Sequence, residues 1–543
     1  LCRLADVLDK EAQDPKRAAE VLEVAGLARP GDVGVLHRLK GLYGTLRLWP
    51  KLLDVLDELC RVSTGAKDRG SYRFAQADIA LGRLRQEPRG LAFLELALDE
   101  DPQNDRALSA LVAVRTRREE WAELAAVYER LIDRFAGLGD RERAWEVCRK
   151  LGTLRRDRLL DGPGALEALR GAVELRPEDA ESRAALAELY AAKGDRTAAV
   201  RELEEVAVHA PLRAQTYRRL FDLHQRAQRP DRAWLVATCL EELGGADVGH
   251  DLVIEQFRPD GPIRPTTALD ESWWDELLRA PGADPIVCDV LRVVSDAAIA
   301  IRVEELGAKK KLPALDPALE QDKSSTASIV RTFVWAARAL GITLPRLYLL
   351  DDVPSGIAAV PAPAPSTALG PQVRSGVSVQ KLAFLAGRHL AYYRPEHYAL
   401  VFFPTLAELS SLVLSAVRLV IPKLSVPPSG TESRVASDLG ARLSKEEKTQ
   451  LEEVVARLDA RGGTLDLLAW IRSVELTAAR AGLLLAGDLR VAMRTIKDEE
   501  RAIGELSPEA KRGDLLAFAA SEAYGLLRER MGVAILPASP PAG

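Results

Sequence analysis

The sequence has few cysteines, and none of them lies in a pair. Its 543 residues include five, each isolated from the others: Cys2, Cys60, Cys148, Cys239 and Cys288. The cysteines show no CxxC spacing and do not form an even-numbered set, so a fold stabilised by disulfides is excluded. Single cysteines buried in the core, in a reducing compartment, are expected. We therefore predict a cytoplasmic location. The chain begins at Leu1 inside a helical pattern, which leaves a preceding signal peptide open.

The sequence also lacks a large charge of one sign. Its formal net charge is -5 and its pI is about 5.9, so it has no basic excess that would indicate a nucleic-acid partner. At this length the chain exceeds a single hydrophobic core, and two or three domains are expected.

One apolar run, residues 399–422, is long enough to raise the question of a membrane span. It contains Pro404, Glu408 and Arg418, and its polar residues fall at helical spacing from Thr405 onward. A buried amphipathic helix accounts for that spacing, so no membrane span is predicted.

Known catalytic motifs are missing as well. There is no GxGxxG after a strand, no Walker-type loop and no GxSxG, and Ser410 and Ser411 have no histidine in a suggestive pattern. We predict no cofactor and no small-molecule substrate.

The N-terminal part of the chain repeats a pattern of helix, turn and helix. Its clearest unit is "AESRAALAELYAAKGDRTAAVRELEEVAVHAP" at residues 180–211, and Pro177 and Pro211, at its two breaks, lie 34 residues apart. Similar breaks occur near Pro30 and Pro102. Residues 1–248 resemble a tetratricopeptide-repeat α-solenoid of about seven helical hairpins. The resemblance implies binding of a protein partner through the array.

Arginine-rich turns offer two interpretations of the array's surface. Segments such as "LRRDRLL" at residues 154–160 could favour an acidic ligand, or they could be a solvated face, which composition alone favours.

The pattern changes after residue 248. Residues 249–325 are predicted as a linker with a helical lead-in, 326–535 as a mostly helical α+β domain with a small sheet, and 536–543 as a flexible tail. Short strands are predicted at residues 346–350 and 356–360, followed by a helix capped by Ser378. The fold class is therefore mainly α.

Three segments of this second domain occur in the order found in one family of zinc peptidases. They are "VPSGIAAV" at 353–360, "RHLAY" at 388–392 and "VELTAARAGLLLAGD" at 474–488. The region resembles the CAAX-prenyl-endopeptidase-like gluzincins, in which a strand precedes an H-E-x-x-H helix and a later helix carries E-x-x-A-D. The resemblance covers about a quarter of the chain.

The zinc ligands implied by the resemblance have been replaced. Arg388 and Tyr392 stand at the two histidines, His389 at the catalytic glutamate, and Ala479 at the supporting aspartate, so only Glu475 keeps its identity. Arginine cannot ligate Zn²⁺ because it does not lose its proton. We expect no metal and no catalysis, and we expect Arg388 to pair with Glu475 in the metal's place.

A metal site rebuilt from His389 and His397 is the alternative. Pro395 lies between them, and a spacing of eight residues on a helix separates side chains by about 12 Å. Structural histidines account for them better.

The predicted function is a non-catalytic scaffold or adaptor that binds protein partners. The pseudopeptidase domain would be a second binding module, holding an extended segment at the strand near residues 356–360. Two other interpretations stay open: an active peptidase with a noncanonical zinc site, and a purely structural cap on the solenoid.

Overall fold

The computed structural model describes residues 1–422, 430–499 and 503–537. Contacts divide the chain into two compact units, Leu1–Asp195 and Arg196–Gly543. Both are built mainly from helices, and the second also holds a four-stranded mixed sheet. The predicted class, mainly α with a small C-terminal sheet, is confirmed.

The first unit is a succession of short helices joined by tight turns. Pro15 and Trp49 begin alternate helices 34 residues apart, as do Glu87 and Trp121, which is the tetratricopeptide period. The helices are α1 Cys2–Lys10, α2 Pro15–Ala28, α3 Val33–Thr45, α4 Trp49–Val62, α5 Ala66–Asp78, α6 Glu87–Glu100, α7 Asp105–Arg117, α8 Trp121–Leu138, α9 Arg141–Asp157, α10 Gly162–Leu175 and α11 Ala180–Lys193.

Acidic or amide side chains begin many of these helices. Asp32, Asn104 and Asp179 accept hydrogen bonds from backbone N–H groups of the first turn, which satisfies donors that the helix itself leaves unpaired. The Asp-marked breaks of the sequence are therefore helix starts.

The second unit opens with helices of the same kind. They are α12 Arg196–His209, α13 Ala214–Arg226, α14 Pro230–Glu242 and α15 Val248–Gln256. Arg196 and Pro230 begin alternate helices 34 residues apart, and so do Ala214 and Val248. The predicted domain boundaries, including the one at residue 248, stay predictions, but this compact unit already begins at Arg196.

The remaining helices and strands of the second unit follow a Pro-rich connection. They are α16 Glu271–Trp273, α17 Pro285–Ala308, β1 Glu320–Gln321, α18 Ser328–Leu340, β2 Arg346–Leu349, β3 Ile357–Val360, β4 Ser366–Leu369, α19 Val379–Leu390, α20 Pro395–Phe402, α21 Leu406–Val420, α22 Gly430–Arg442, α23 Lys445–Ala460, α24 Leu467–Ala486, α25 Leu489–Lys497, α26 Pro508–Ala519 and α27 Glu522–Arg530. Of the predicted tail, residues 538–543 lie outside the described residues.

The sheet has the strand order β1-β2-β4-β3. Strand β2 is parallel to β4, whereas β3 is antiparallel to β4 and lies at the edge. The strands predicted at 346–350 and 356–360 are confirmed as β2 and β3. The central strand β4 was not predicted, because its four buried residues show no alternation and Pro361, Pro363, Pro365 and Pro371 surround it.

Helices α19 and α24 pack very closely. A Cβ atom added at Gly387 would lie 2.8 Å from the Ala481 carbonyl oxygen, and one added at Gly482 would lie 2.7 Å from the Phe384 carbonyl oxygen. Only glycine permits this approach. It brings Arg388 of α19 and Glu475 of α24 within reach of each other.

The apolar run at residues 399–422 covers the end of helix α20 and the whole of helix α21. Thr405 caps α21. As predicted, this helix is amphipathic, and its buried residues, including Leu409, Leu412 and Ala416, fall at helical spacing. Among the described residues, no helix combines the length and apolar character that a membrane crossing requires.

Buried ion pairs join α14 to α27 within the second unit. Asp231 and Arg528 are each 4% exposed, and Arg528 donates from Nη2 and Nε to the Asp231 carboxylate at 2.8 and 3.1 Å. The backbone N–H of Ile535 donates to the same carboxylate at 2.9 Å. This bidentate pair connects positions almost three hundred residues apart in sequence.

A titratable cluster lies beside these pairs. The Glu204 carboxylate of α12 accepts the backbone N–H of Glu522 at 2.7 Å, while Arg229 pairs with the Glu522 carboxylate. Burial, with a contribution from the Glu522 charge, raises the pKa of Glu204 to about 7. Burial lowers the pKa of the neighbouring His224 to about 4.

We expect the Glu204→Gln variant to be more stable than the wild type at high pH. Folding raises the pKa of this carboxyl, so the free energy of unfolding decreases as pH rises from about 4.5 to about 7. Over that range the folded state has to bury a charge. Urea unfolding should show little difference at pH 5 and a gain of about 1–2 kcal/mol at pH 8. His224 acts with the opposite sign between pH 4 and 6.5, but it is present in both proteins. A difference independent of pH would contradict the prediction.

Candidate functional site

Helix α19 positions the residues at which the sequence suggested a lost metal site. Ser378 caps its first turn by accepting the Lys381 N–H at 3.2 Å, as predicted. The helix ends at Leu390, a tight turn follows over Ala391–Tyr393, and Pro395 begins α20. Arg388 and Tyr392, four residues apart, both contact α24.

Both of these side chains bind Glu475. Arg388 donates from Nη2 to Glu475 Oε1, and the Tyr392 hydroxyl donates to Oε2. Glu475 is 0% exposed, and a buried carboxylate needs partners of this kind to keep its charge. The ion pair expected between Arg388 and Glu475 is present.

Two further residues complete a buried cluster of charges. Lys511 of α26, 1% exposed, places its Nζ 2.7 Å from Glu475 Oε1 and 2.9 Å from Glu499 Oε2. Arg388 also pairs with Glu499. Two carboxylates and two cations thus balance each other, and we call Arg388, Tyr392, Glu475, Glu499 and Lys511 the Glu475 cluster.

The cluster keeps Glu475 ionised. Burial alone would raise the pKa of this carboxyl, but the nearby charges of Arg388 and Lys511 outweigh it and hold the pKa below its ordinary value. Burial and the Glu475 charge raise the pKa of Tyr392 well above its ordinary value. Tyr392 therefore stays a neutral donor.

The two histidines make other contacts. His389 Nε2 lies 2.9 Å from Thr367 Oγ1 of β4, whereas His397 Nδ1 lies 2.9 Å from the Ala391 carbonyl oxygen. Burial lowers the pKa of His389 to about 3 and that of His397 to about 4, so both rings are neutral at pH 7. Each is engaged in structure, as the sequence argument favoured.

The residues at the positions where the resemblance places zinc ligands do not fit a zinc ion. Arg388 brings a permanent positive charge, Ala479 is a buried side chain without an oxygen, and the Glu475 oxygens are already bound by three donors. A zinc site needs three or four neutral or anionic donors. Within residues 1–422, 430–499 and 503–537, no group of three His, Cys, Asp or Glu side chains is placed to hold a metal ion.

Sequence reasoning missed two residues of the cluster, Glu499 and Lys511, and only Lys511 carries a local signal. It shares one face of α26 with Leu515 and Phe518, at spacings of four and seven residues, and all three are buried. A lysine on the apolar face of a helix indicates a buried carboxylate partner, and this pattern could have identified it.

A groove lies on the first unit, between α7, α8 and α9. Two adjoining cavities of about 660 and 970 Å³ share Val112, Thr116, Tyr128 and Lys150 and so form one open channel. We call it the α7–α9 groove. Its floor is apolar and its rim carries charges of both signs, a lining suited to a peptide segment.

No family model matches the chain, and no curated protein matches it either. Solved structures of TPR proteins do match. The C-terminal part of a TPR repeat-containing protein from Cytophaga hutchinsonii is 14% identical over 47% of this chain and 99% of its own, with a TM-score of 0.26.

Two other matches have comparable scores. YrrB, described as a TPR protein with an unusual peptide-binding site, is 16% identical over 36% of this chain and 94% of its own, with a TM-score of 0.22. The TPR2AB domain of yeast Sti1, solved in complex with pHSP90, is 16% identical over 46% of this chain and 92% of its own, with a TM-score of 0.21. At these scores the likeness bears on no site.

Proposed function

We propose that this protein is a non-catalytic scaffold that binds a segment of a partner protein in the α7–α9 groove. The observation that carries the proposal is the groove itself, an open channel with an apolar floor on a unit of paired helices. Helical arrays of this type present extended surfaces to other proteins.

The second unit, in this proposal, contains a peptidase-like domain that has lost its metal and its catalysis. The support is that both carboxylate oxygens of Glu475 already have partners, namely Arg388, Lys511 and Tyr392. A metal site would need a zinc ion and a water in their place. Strand β3 at the sheet edge offers a second place for an extended segment.

Photocrosslinking in the native cells tests the groove. A crosslinker placed at Ser109, an exposed residue of the groove, should capture a defined partner. We expect Ala113→Arg, also in the groove, to reduce the capture about tenfold or more, because a long charged side chain then occupies the docking surface.

The matched control is Ala122→Arg on α8. Ala122 is exposed but does not line the groove, so the same substitution there should leave capture unchanged. Equal capture by both variants would show that the partner binds elsewhere, and the groove proposal would fail.

A further inference from the structure

One end of the α7–α9 groove holds two arginines without a carboxylate partner. Neighbouring arginines of the first unit are ion-paired: Arg115 with Glu95, Arg143 with Asp105 and Arg155 with Glu129. The side chains of Arg149 and Arg158 have neither an ion pair nor a hydrogen bond within the described part of the chain. Both line the same cavity.

Arg149 is the more constrained of the two. Its Nε atom is buried and has no hydrogen-bond partner among the described residues. Its guanidinium lies 5.3 Å from the centre of the Trp145 ring, which the Arg176 guanidinium approaches to 3.6 Å. A buried donor left unpaired is costly. Arg115 also has an unpaired Nε, but its other nitrogens are ion-paired, whereas those of Arg149 have no carboxylate in the part of the chain that the structure describes. This cation–π contact restrains the Arg149 guanidinium, so less freedom is lost when an acceptor binds.

Two aromatic residues extend the same subsite. The Arg158 guanidinium lies 5.1 Å from the centre of the Trp121 ring. Tyr128 is 5% exposed, lines the cavity, and its hydroxyl has no hydrogen-bond partner among the residues described. Burial raises the pKa of Tyr128, which keeps the hydroxyl a donor. We call Trp121, Tyr128, Arg149 and Arg158 the donor subsite.

The acceptors nearby are already engaged. The Asp157 carboxylate accepts the Nε–H of Arg156 at 2.7 Å, and Glu146 accepts a hydrogen bond from Lys150 at 2.7 Å. The subsite is therefore rich in donors and poor in free acceptors, above an apolar floor that includes Leu124 and Leu154.

From this imbalance we infer that the donor subsite binds glutamate or aspartate side chains of an acidic, partly apolar segment of the partner protein. The inference rests on the proposed function and gives the partner its chemistry. Carboxylates match the guanidinium groups in charge and in hydrogen-bond geometry. The other end of the groove carries as many carboxylates as cations, so it offers no continuous positive track for a phosphate backbone. A nucleic acid is therefore disfavoured.

Fluorescence anisotropy on the full chain tests the inference. The probe is a fluorescein-labelled short peptide of glutamates interrupted by one leucine and one phenylalanine, and its counterpart has glutamine at every glutamate. We expect the acidic peptide to bind and the glutamine peptide to bind at least tenfold more weakly. Arg149→Gln and Arg158→Gln should each weaken binding about tenfold, and Tyr128→Phe a few-fold.

Arg141→Gln is the matched control, since Arg141 lies exposed on the same helix, outside the groove. Its affinity should equal that of the wild type. Equal binding of the two peptides, an unchanged affinity of Arg149→Gln, or displacement of the peptide by a single-stranded oligonucleotide would each overturn the inference. If the acidic peptide fails while crosslinking at Ser109 still depends on Ala113, this inference fails and the proposed function stands.

Discussion

Replacing Lys511 with methionine is expected to destabilise the second unit by about 3–5 kcal/mol. The substitution leaves the carboxylates of Glu475 and Glu499 with Arg388 as their one remaining cationic partner in the cluster. Glu475 is fully buried, so its uncompensated charge cannot be solvated. Urea unfolding, combined with hydrogen exchange of peptides from α19 and α24, measures the loss.

The double variant Lys511→Met with Glu475→Gln should recover part of this stability, because it removes a negative charge together with the positive one. Lys497→Met is the control, since Lys497 is exposed on α25, and it should change the free energy of unfolding by less than about 0.5 kcal/mol. A stable Lys511→Met protein would mean that the Glu475 cluster does not hold these helices together.

Replacing Asp231 with asparagine is expected to have an effect of similar size, about 3–5 kcal/mol. Asp231 accepts from Arg528 and from the backbone N–H of Ile535 in a buried position. Asparagine would leave the Arg528 guanidinium without its carboxylate, whereas the adjacent Arg232 would keep Glu522 and Glu529. Hydrogen exchange should increase in peptides from α14 and α27.

The exposed pair of Asp260 and Arg264 provides the comparison. Its side chains are 86% and 84% exposed, and such pairs contribute little to stability. Asp260→Asn should therefore leave exchange in α14 and α27 unchanged. Equal effects of the two substitutions would show that burial of the Asp231 pair does not matter.

The parts of the fold that could be predicted are those set by local patterns. The Asp- and Pro-marked breaks, the 34-residue spacing, the cap at Ser378 and strands β2 and β3 all follow from turn chemistry and periodicity. Strand β4 could not be recognised, because a short strand buried on both faces between prolines carries no alternation.

The site was predictable only as far as its residues lie in one motif. The pairing of Arg388 with Glu475 follows from charge and motif order, and the structure contains it. Lys511 lies on α26 and Glu499 follows the end of α25. The place of Lys511 on an apolar face indicates a carboxylate partner, but nothing local identifies that partner as Glu475. The pairing of Asp231 with Arg528 is equally non-local, since it depends on where α27 packs. Local sequence patterns do not predict contacts between residues so far apart in sequence, even when each residue is a candidate by itself.

Metal content and zinc titration test the central claim most directly, namely that Arg388, Lys511 and Tyr392 occupy the place of a metal ion at Glu475. We predict well under one zinc per purified chain by elemental analysis, and no heat of zinc binding by calorimetry on the full chain. The Glu475→Ala variant should give the same values. One zinc per chain, lost in Glu475→Ala, would contradict the account and would favour an active metal-dependent peptidase.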